Sequence, residues 1–207
     1  MSNSDSIRTE QELEDVLGEP MDFIRQKVVT QLDDVMKEFI RRSPLVFVST
    51  ICADGSVDVS PKGDPAGFVQ VTDEGQLLIP ERLGNRLAFG FRNLLSNPQI
   101  GLIFVIPNMR ETLRVRGAGT LHKDPAVLES MQVKGKPALL YTRVEVQHTF
   151  MHCGKAMIRS KCWQPEAWPN KDDMFMARQV AATMGGGAET EELVDNEISK
   201  SYEENLY

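Results

Sequence analysis

The 207-residue chain is poor in the residues that most often carry protein chemistry by themselves. It has three cysteines, Cys52, Cys153 and Cys162, and three histidines. A low, odd cysteine count argues against a disulfide framework. A closed zinc site wants four ligands at short spacing. His152 and Cys153 are adjacent, but Cys162 follows alone and no second pair exists. No GxGxxG is present, so a Rossmann nicotinamide site has no support. No apolar run approaches the ~18 residues of a membrane-spanning helix. Residues 1–5 lack the basic and apolar regions of a secretory leader, which makes the cytoplasm the expected location.

What the chain does have is unevenly spread charge. Its net charge is −7. Residues 188–207 carry seven acids against one lysine, and residues 1–44 carry ten acids against six bases. The middle, 45–163, carries fourteen bases against ten acids. That excess is too small for a nucleic-acid face, which needs a strongly basic surface. It suits the phosphate of a small molecule.

The patterning predicts a mainly β protein with flanking helices. Thr9-Glu10-Gln11-Glu12 reads as a capping box for a short helix ending near Gly18. Ile24, Val28, Leu32, Val35 and Phe39 recur at helical spacing, which predicts one longer helix stopped at Ser43-Pro44. From Leu45 onward the period changes. Leu45–Cys52 and Ser56–Ser60 read as strands around an Asp54-Gly55 turn, and 61–67 as a loop by its proline and glycine content. Short strands follow at Phe68–Thr72 and Gln76–Pro80, then longer ones at Gln99–Ile106, Glu111–His122 and Ala138–Phe150. Gly117 and Gly119 suggest a bend in the second of these. Asn85 is a candidate cap for a helix carrying Leu87, Phe91, Leu94 and Leu95, and Asp124-Pro125 starts another. Many short strands with glycine-rich turns favour a barrel. Three parts are expected: N-terminal helices over 1–43, a barrel over 44–165 and a helical extension over 166–207. Gly185–Gly187 reads as a flexible hinge, after which an acidic helix could cover a partner's cleft as a lid.

The most informative stretch is Pro80-Glu81-Arg82-Leu83-Gly84-Asn85-Arg86, between a strand and a helix. A helix N-terminus offers free N–H groups, and Arg82 and Arg86 add forked donors that match phosphate oxygens. The competing reading is a surface loop whose arginines pair with acids elsewhere. Lys62, at the exit of a strand, is either a second basic contact or a solvated turn lysine. His152 is a candidate acid or base, with packing as the alternative. Trp163 and Trp168 could stack on an aromatic ligand or pack in the core.

The order of these segments resembles the pyridoxamine 5′-phosphate oxidase-like FMN-binding split barrels. The resemblance rests on Ser56-Val57-Asp58-Val59-Ser60-Pro61-Lys62-Gly63-Asp64, Leu83-Gly84-Asn85-Arg86, Asn97-Pro98-Gln99-Ile100-Gly101-Leu102-Ile103-Phe104 and Glu111-Thr112-Leu113-Arg114-Val115-Arg116-Gly117. A fifth stretch, from His152 to Trp163, resembles the signature of a bacterial branch described only as FMN-dependent enzymes. The resemblance implies a six-stranded antiparallel Greek-key split barrel. It further implies a homodimer with FMN in each interface cleft. The flavin ring would lie along Val57–Lys62, touching Val59, Ser60 and Lys62. Arg82, Asn85 and Arg86 would hold the phosphate. Thr112 and Arg114 would reach the flavin from the cleft strand. The partner subunit would offer its own copies of Lys155, Arg159, Ser160 and Trp163. The C-terminal arginine and serine set of true pyridoxamine-phosphate oxidases is missing, so a different substrate is implied. The expectation is therefore an FMN-dependent oxidoreductase of unknown substrate. The alternative is a non-catalytic flavin or tetrapyrrole binder on the same fold. Neither requires a metal or a membrane, and nucleic acid is not an expected partner.

Overall fold

The computed structural model describes residues 6–84, 86–169, 175–204 and 206–207. Helix α1 (Glu10–Leu17) opens on the expected capping box. The Thr9 hydroxyl accepts from the Glu12 N–H, and the Glu12 carboxylate accepts from the Thr9 N–H. The longer helix predicted from Ile24 to Phe39 is instead two: α2 (Asp22–Gln26) and α3 (Asp34–Arg42). Between them, Val29 and Thr149 donate backbone N–H groups to each other's carbonyl, at 3.0 and 2.8 Å. That pairing takes the chain out of helical geometry. Asp33 then restarts the helix by accepting from the Met36 N–H at 2.8 Å. The new phase turns Met36, Phe39 and Ile40 inward and leaves Val35 exposed.

Seven strands follow: β1 (Leu45–Ile51), β2 (Val57–Gly63), β3 (Gln70–Val71), β4 (Leu77–Glu81), β5 (Gln99–Val105), β6 (Thr112–His122) and β7 (Leu140–His152). They form one curled antiparallel sheet in the order β2-β1-β5-β6-β7-β4-β3. With helices against it, this is the split-barrel architecture. The seventh strand beyond the expected six is the two-residue β3 at one edge. Val46, Val48, Leu77, Ile79, Phe104, Leu113 and Val144 meet Phe39 and Ile40 in one core.

Two strand details position the site. The segment predicted as a loop from Pro61 begins as strand, because β2 continues through Pro61 and Lys62 to Gly63, paired with Phe47, Val46 and Leu45. Proline has no N–H for a ladder, and β2 tolerates it as the sheet's edge. The expected bend in β6 is a register shift at Arg116/Gly117. A Cβ on Gly117 would lie 2.1 Å from the Glu145 carbonyl oxygen, so the two strands close there only around glycine.

Helix α4 (Phe89–Ser96) lies between β4 and β5, and α5 (Pro125–Ser130) starts on Asp124 as expected. Helix α6 (Lys155–Ser160) follows β7. Helices α7 (Phe175–Thr183) and α8 (Ala188–Glu204) pack as a hairpin, burying Ala177 and Ala181. The glycine run between them is a tight turn rather than a loose hinge. Gly186 donates to the Ala181 carbonyl, and a Cβ there would lie 2.3 Å from the Thr190 hydroxyl. Among the described residues, no helix is long and apolar enough to cross a membrane.

Candidate functional site

Successive side chains of a strand leave on opposite faces. On β1 and β2 this alternation builds two cavities. Val48, Thr50, Ser60 and Lys62 line an inner cleft of about 690 Å³. Phe47, Ser49 and Val59 line an outer one of about 430 Å³.

The inner cleft gathers three of the six predicted basic residues, Lys62, Arg82 and Arg86. Lys62 projects from edge strand β2, Arg82 follows the end of β4, and Arg86 stands in the next loop. Each of the first two is held by an acid. The Lys62 ammonium lies 2.7 Å from Glu81 Oε2 and 4.9 Å from the centre of the Phe91 ring. Arg82 donates through Nε to Asp64 Oδ2 at 2.7 Å and through Nη2 to the Met131 carbonyl at 2.6 Å. The Asp64–Arg82 pair is deeply buried, with side-chain exposures of 2% and 14%. Its two remaining polar atoms, Arg82 Nη1 and Asp64 Oδ1, are buried without a partner. From the C-terminal end of the chain the Tyr207 phenol interacts with the same Asp64 carboxylate, and burial and that carboxylate raise its pKa. Arg86 is exposed, has a left-handed backbone (φ 60°), and makes no ion pair with a described residue.

The helix expected to open at Asn85 begins later. Asn85 lies outside the described residues, and α4 starts at Phe89, preceded by Ala88 at φ 56° with no side-chain cap. The arginines therefore sit on a loop ahead of the helix. The first turn of α4 still borders the cleft through Phe89, Gly90 and Phe91. It rests on the sheet at ordinary contact distance: a Cβ on Gly90 would lie 3.6 Å from both Asp58 Oδ2 and the Thr50 hydroxyl. Asn93 locks this contact, donating to the Thr50 hydroxyl at 3.0 Å in the core.

The other candidates fall elsewhere in the chain. Val59 and Arg114 line the outer cavity. Thr112 is buried beside His152 in the β6–β7 ladder. Lys155, Arg159, Ser160 and Trp163 line neither cavity. Their segment is pinned to the β5–β6 turn instead. Trp163 donates its indole N–H to the Met109 carbonyl at 2.8 Å, and Gly154 packs against Arg110. Trp168 spends its indole N–H on the Cys162 carbonyl at 3.0 Å. Sequence reasoning missed the acids that hold the basic residues. Asp64 and Glu81 stood inside the motifs, but which acid meets which base is set by the pairing of distant strands.

Around Phe150 of the outer cavity, Lys27 and Arg114 lie 5.2 and 5.3 Å from the ring centre. His152 is tilted against the same ring, with its Nδ1 buried and unpartnered. Burial, then Arg114 and Lys27, hold its pKa below the ordinary 6.5. A histidine depressed in the folded state stabilises the fold above pH 6.5 and withdraws that contribution as pH falls through the folded pKa. Urea midpoints of the wild type should therefore drop more between pH 7.5 and pH 5 than those of His152→Gln. Equal drops would show that His152 is solvated in the fold.

Residues 32–153 match the family model described as pyridoxamine 5′-phosphate oxidase, and the chain belongs to that family. Similar solved structures include HupZ from Group A Streptococcus, at 18% identity over 58% of this chain and 94% of that one, with a TM-score of 0.47. A protein related to general stress protein 26, from Clostridium acetobutylicum, aligns at 18% identity over 56% and 84%, with a TM-score of 0.41. HutZ, described as the heme storage protein of Vibrio cholerae, aligns at 16% identity over 60% and 97%, with a TM-score of 0.39. No curated protein matches the chain.

Proposed function

We propose that the inner cleft binds FMN and that the protein is an FMN-dependent oxidoreductase acting as a homodimer. The observation that carries this reading is the cleft itself. A cavity of about 690 Å³ has edge strand β2 along one wall and Lys62, Arg82 and Arg86 on its surface. As the sheet's edge, β2 pairs only with β1 and leaves a row of backbone N–H and C=O groups around Val59 and Ser60 for a heterocycle's polar rim. Phe89 and Phe91 supply aromatic surface, and the orphaned atoms of the Asp64–Arg82 pair supply polar anchors. These residues fit a flavin nucleotide. Asn85 is assigned to the same phosphate loop from the family pattern.

Bound FMN would supply hydride or electron transfer, leaving position and electrostatics to the protein. Lys62 and Arg86 would neutralise the phosphate, with Glu81 holding Lys62 until it arrives. The cleft wall would exclude water from one side. The outer face exposes Phe47, Val57, Val59 and Ile103, an apolar surface suited to a second copy. Thr112, Arg114 and the partner's segment carrying Lys155, Arg159, Ser160 and Trp163 are assigned to the flavin's surroundings from the family pattern, although within one chain Arg114 lines the opposite cavity. The described residues lining the inner cleft include no histidine, cysteine or methionine of the kind that ligates haem iron, which favours flavin over a tetrapyrrole.

An absorption spectrum of the purified protein, before and after adding FMN and desalting, tests the reading. Retained flavin bands support it, and a protein that stays colourless refutes it. Arg86→Ala should weaken FMN binding by about 1.5–3 kcal/mol, the range for a charge-assisted hydrogen bond. Unchanged affinity in a fluorescence-quenching titration would remove Arg86 from the phosphate site. Turnover with a reductant and an acceptor separates an enzyme from a passive binder.

A further inference from the structure

The sequence treats Arg82 and Arg86 as one phosphate-gripping set, but the structure separates their surroundings. Arg82 is committed at two of its three nitrogens, to Asp64 and to the Met131 carbonyl. Only Nη1 remains, and it is buried. The Asp64 carboxylate is ion-paired to the same guanidinium through Oδ2, and its Oδ1 is also buried and unpartnered. Both residues border the inner cleft. The pair therefore has one unsatisfied donor, on Arg82, and one unsatisfied acceptor, on Asp64. Its formal charge is balanced.

The phosphomonoester dianion of FMN has acceptor oxygens but no donor. It would satisfy Nη1 while leaving Oδ1 bare and facing like charge in a water-poor environment, which raises the repulsion. A neutral group that both donates and accepts satisfies both atoms at once. Among the described residues, the Tyr207 phenol is a group of that kind and interacts with the Asp64 carboxylate, so a ligand would take its place there.

Resting on the flavin reading above, we infer that the Asp64–Arg82 pair recognises an uncharged donor–acceptor group of the ligand, and that phosphate recognition belongs to Lys62 and Arg86. On a flavin, that group is a ribityl hydroxyl or the N–H and C=O edge of the pyrimidine ring. Asp64 is then a specificity residue: it rejects anions at Arg82 and keeps its guanidinium fixed.

The test is a set of quenching titrations with FMN, riboflavin and lumiflavin on the full chain and on two variants. Asp64→Asn should weaken FMN and riboflavin by the same factor, about 10–100-fold, as expected when a buried donor or acceptor loses its partner. Loss of lumiflavin binding as well assigns the pyrimidine edge, and unchanged lumiflavin binding assigns the ribityl chain. Arg86→Ala should weaken FMN and leave riboflavin untouched. Loss of FMN alone in Asp64→Asn overturns the inference, because the pair would then be reading phosphate. Should Asp64→Asn not fold, exposed Arg86 together with Lys62→Met still decides. If those changes leave the FMN-to-riboflavin affinity ratio as it was, the phosphate must sit on Arg82 and the inference fails. A wild-type chain that binds none of the three probes refutes the flavin reading itself. In that case the pair has no flavin to read, and the inference falls with that reading.

Discussion

Asp64→Ala is expected to cost the folded protein about 3–5 kcal/mol, the usual result of deleting one member of a buried ion pair. Asp64 is 2% exposed and Arg82 is 14% exposed, so the guanidinium left behind has little water to turn to. Its Nε and Nη1 would both be unsatisfied, and only Nη2 would keep a partner, the Met131 carbonyl. The pair also ties the residue after edge strand β2 to the residue after β4, the strand next to the opposite edge of the sheet. Its loss should loosen the cleft mouth as well as the fold. Urea unfolding should show a lower midpoint with an unchanged slope. A loss below about 1 kcal/mol, the typical value of a surface pair, would mean that the cleft is open to solvent at this point.

Gly117→Ala should be nearly as damaging, at about 2–4 kcal/mol. The added methyl would lie 2.1 Å from the Glu145 carbonyl oxygen and 3.1 Å from the Val144 side chain. Neither is the free end of a flexible side chain. The backbone must shift at the bulge that joins β6 to β7. For a chain of this length the Tm should fall by about 5–15 °C. Gly101→Ala is the control, since its Cβ would meet Ser49 at an ordinary 3.7 Å. Similar Tm changes in the two variants would show that the bulge relaxes freely and that glycine is not required there.

Legibility followed the range of the interactions. The capping box at Thr9, the Asp54-Gly55 turn, the β6 bend and the Asp124 cap are set by residues within a few positions of one another, and all were readable in the sequence. The long helix failed because Val29 is claimed by Thr149, 120 positions away, which no local period reports. Pro61 reads as the start of a loop because proline cannot donate to a ladder and usually ends a strand. Its place at a sheet edge, where it is harmless, depends on the strand order. The site divides in the same way. The basic residues of the cleft are visible as a motif, and Lys62, Arg82 and Arg86 do converge on one cavity. Their acidic partners, the late start of α4 and the assignment of Val59 and Arg114 to the other face all depend on register. Lys155, Arg159 and Ser160 line neither of the two cavities described, so their part in the site is a claim about the dimer.

The central claim is that the inner cleft holds a flavin by its phosphate. Paired titrations of FMN and riboflavin into the purified, flavin-stripped protein test it most directly. The account predicts saturable binding of both, with FMN tighter by at least about tenfold, equivalent to 1.4 kcal/mol from the phosphate contacts. Equal affinity for the two, or no binding of either, would contradict it.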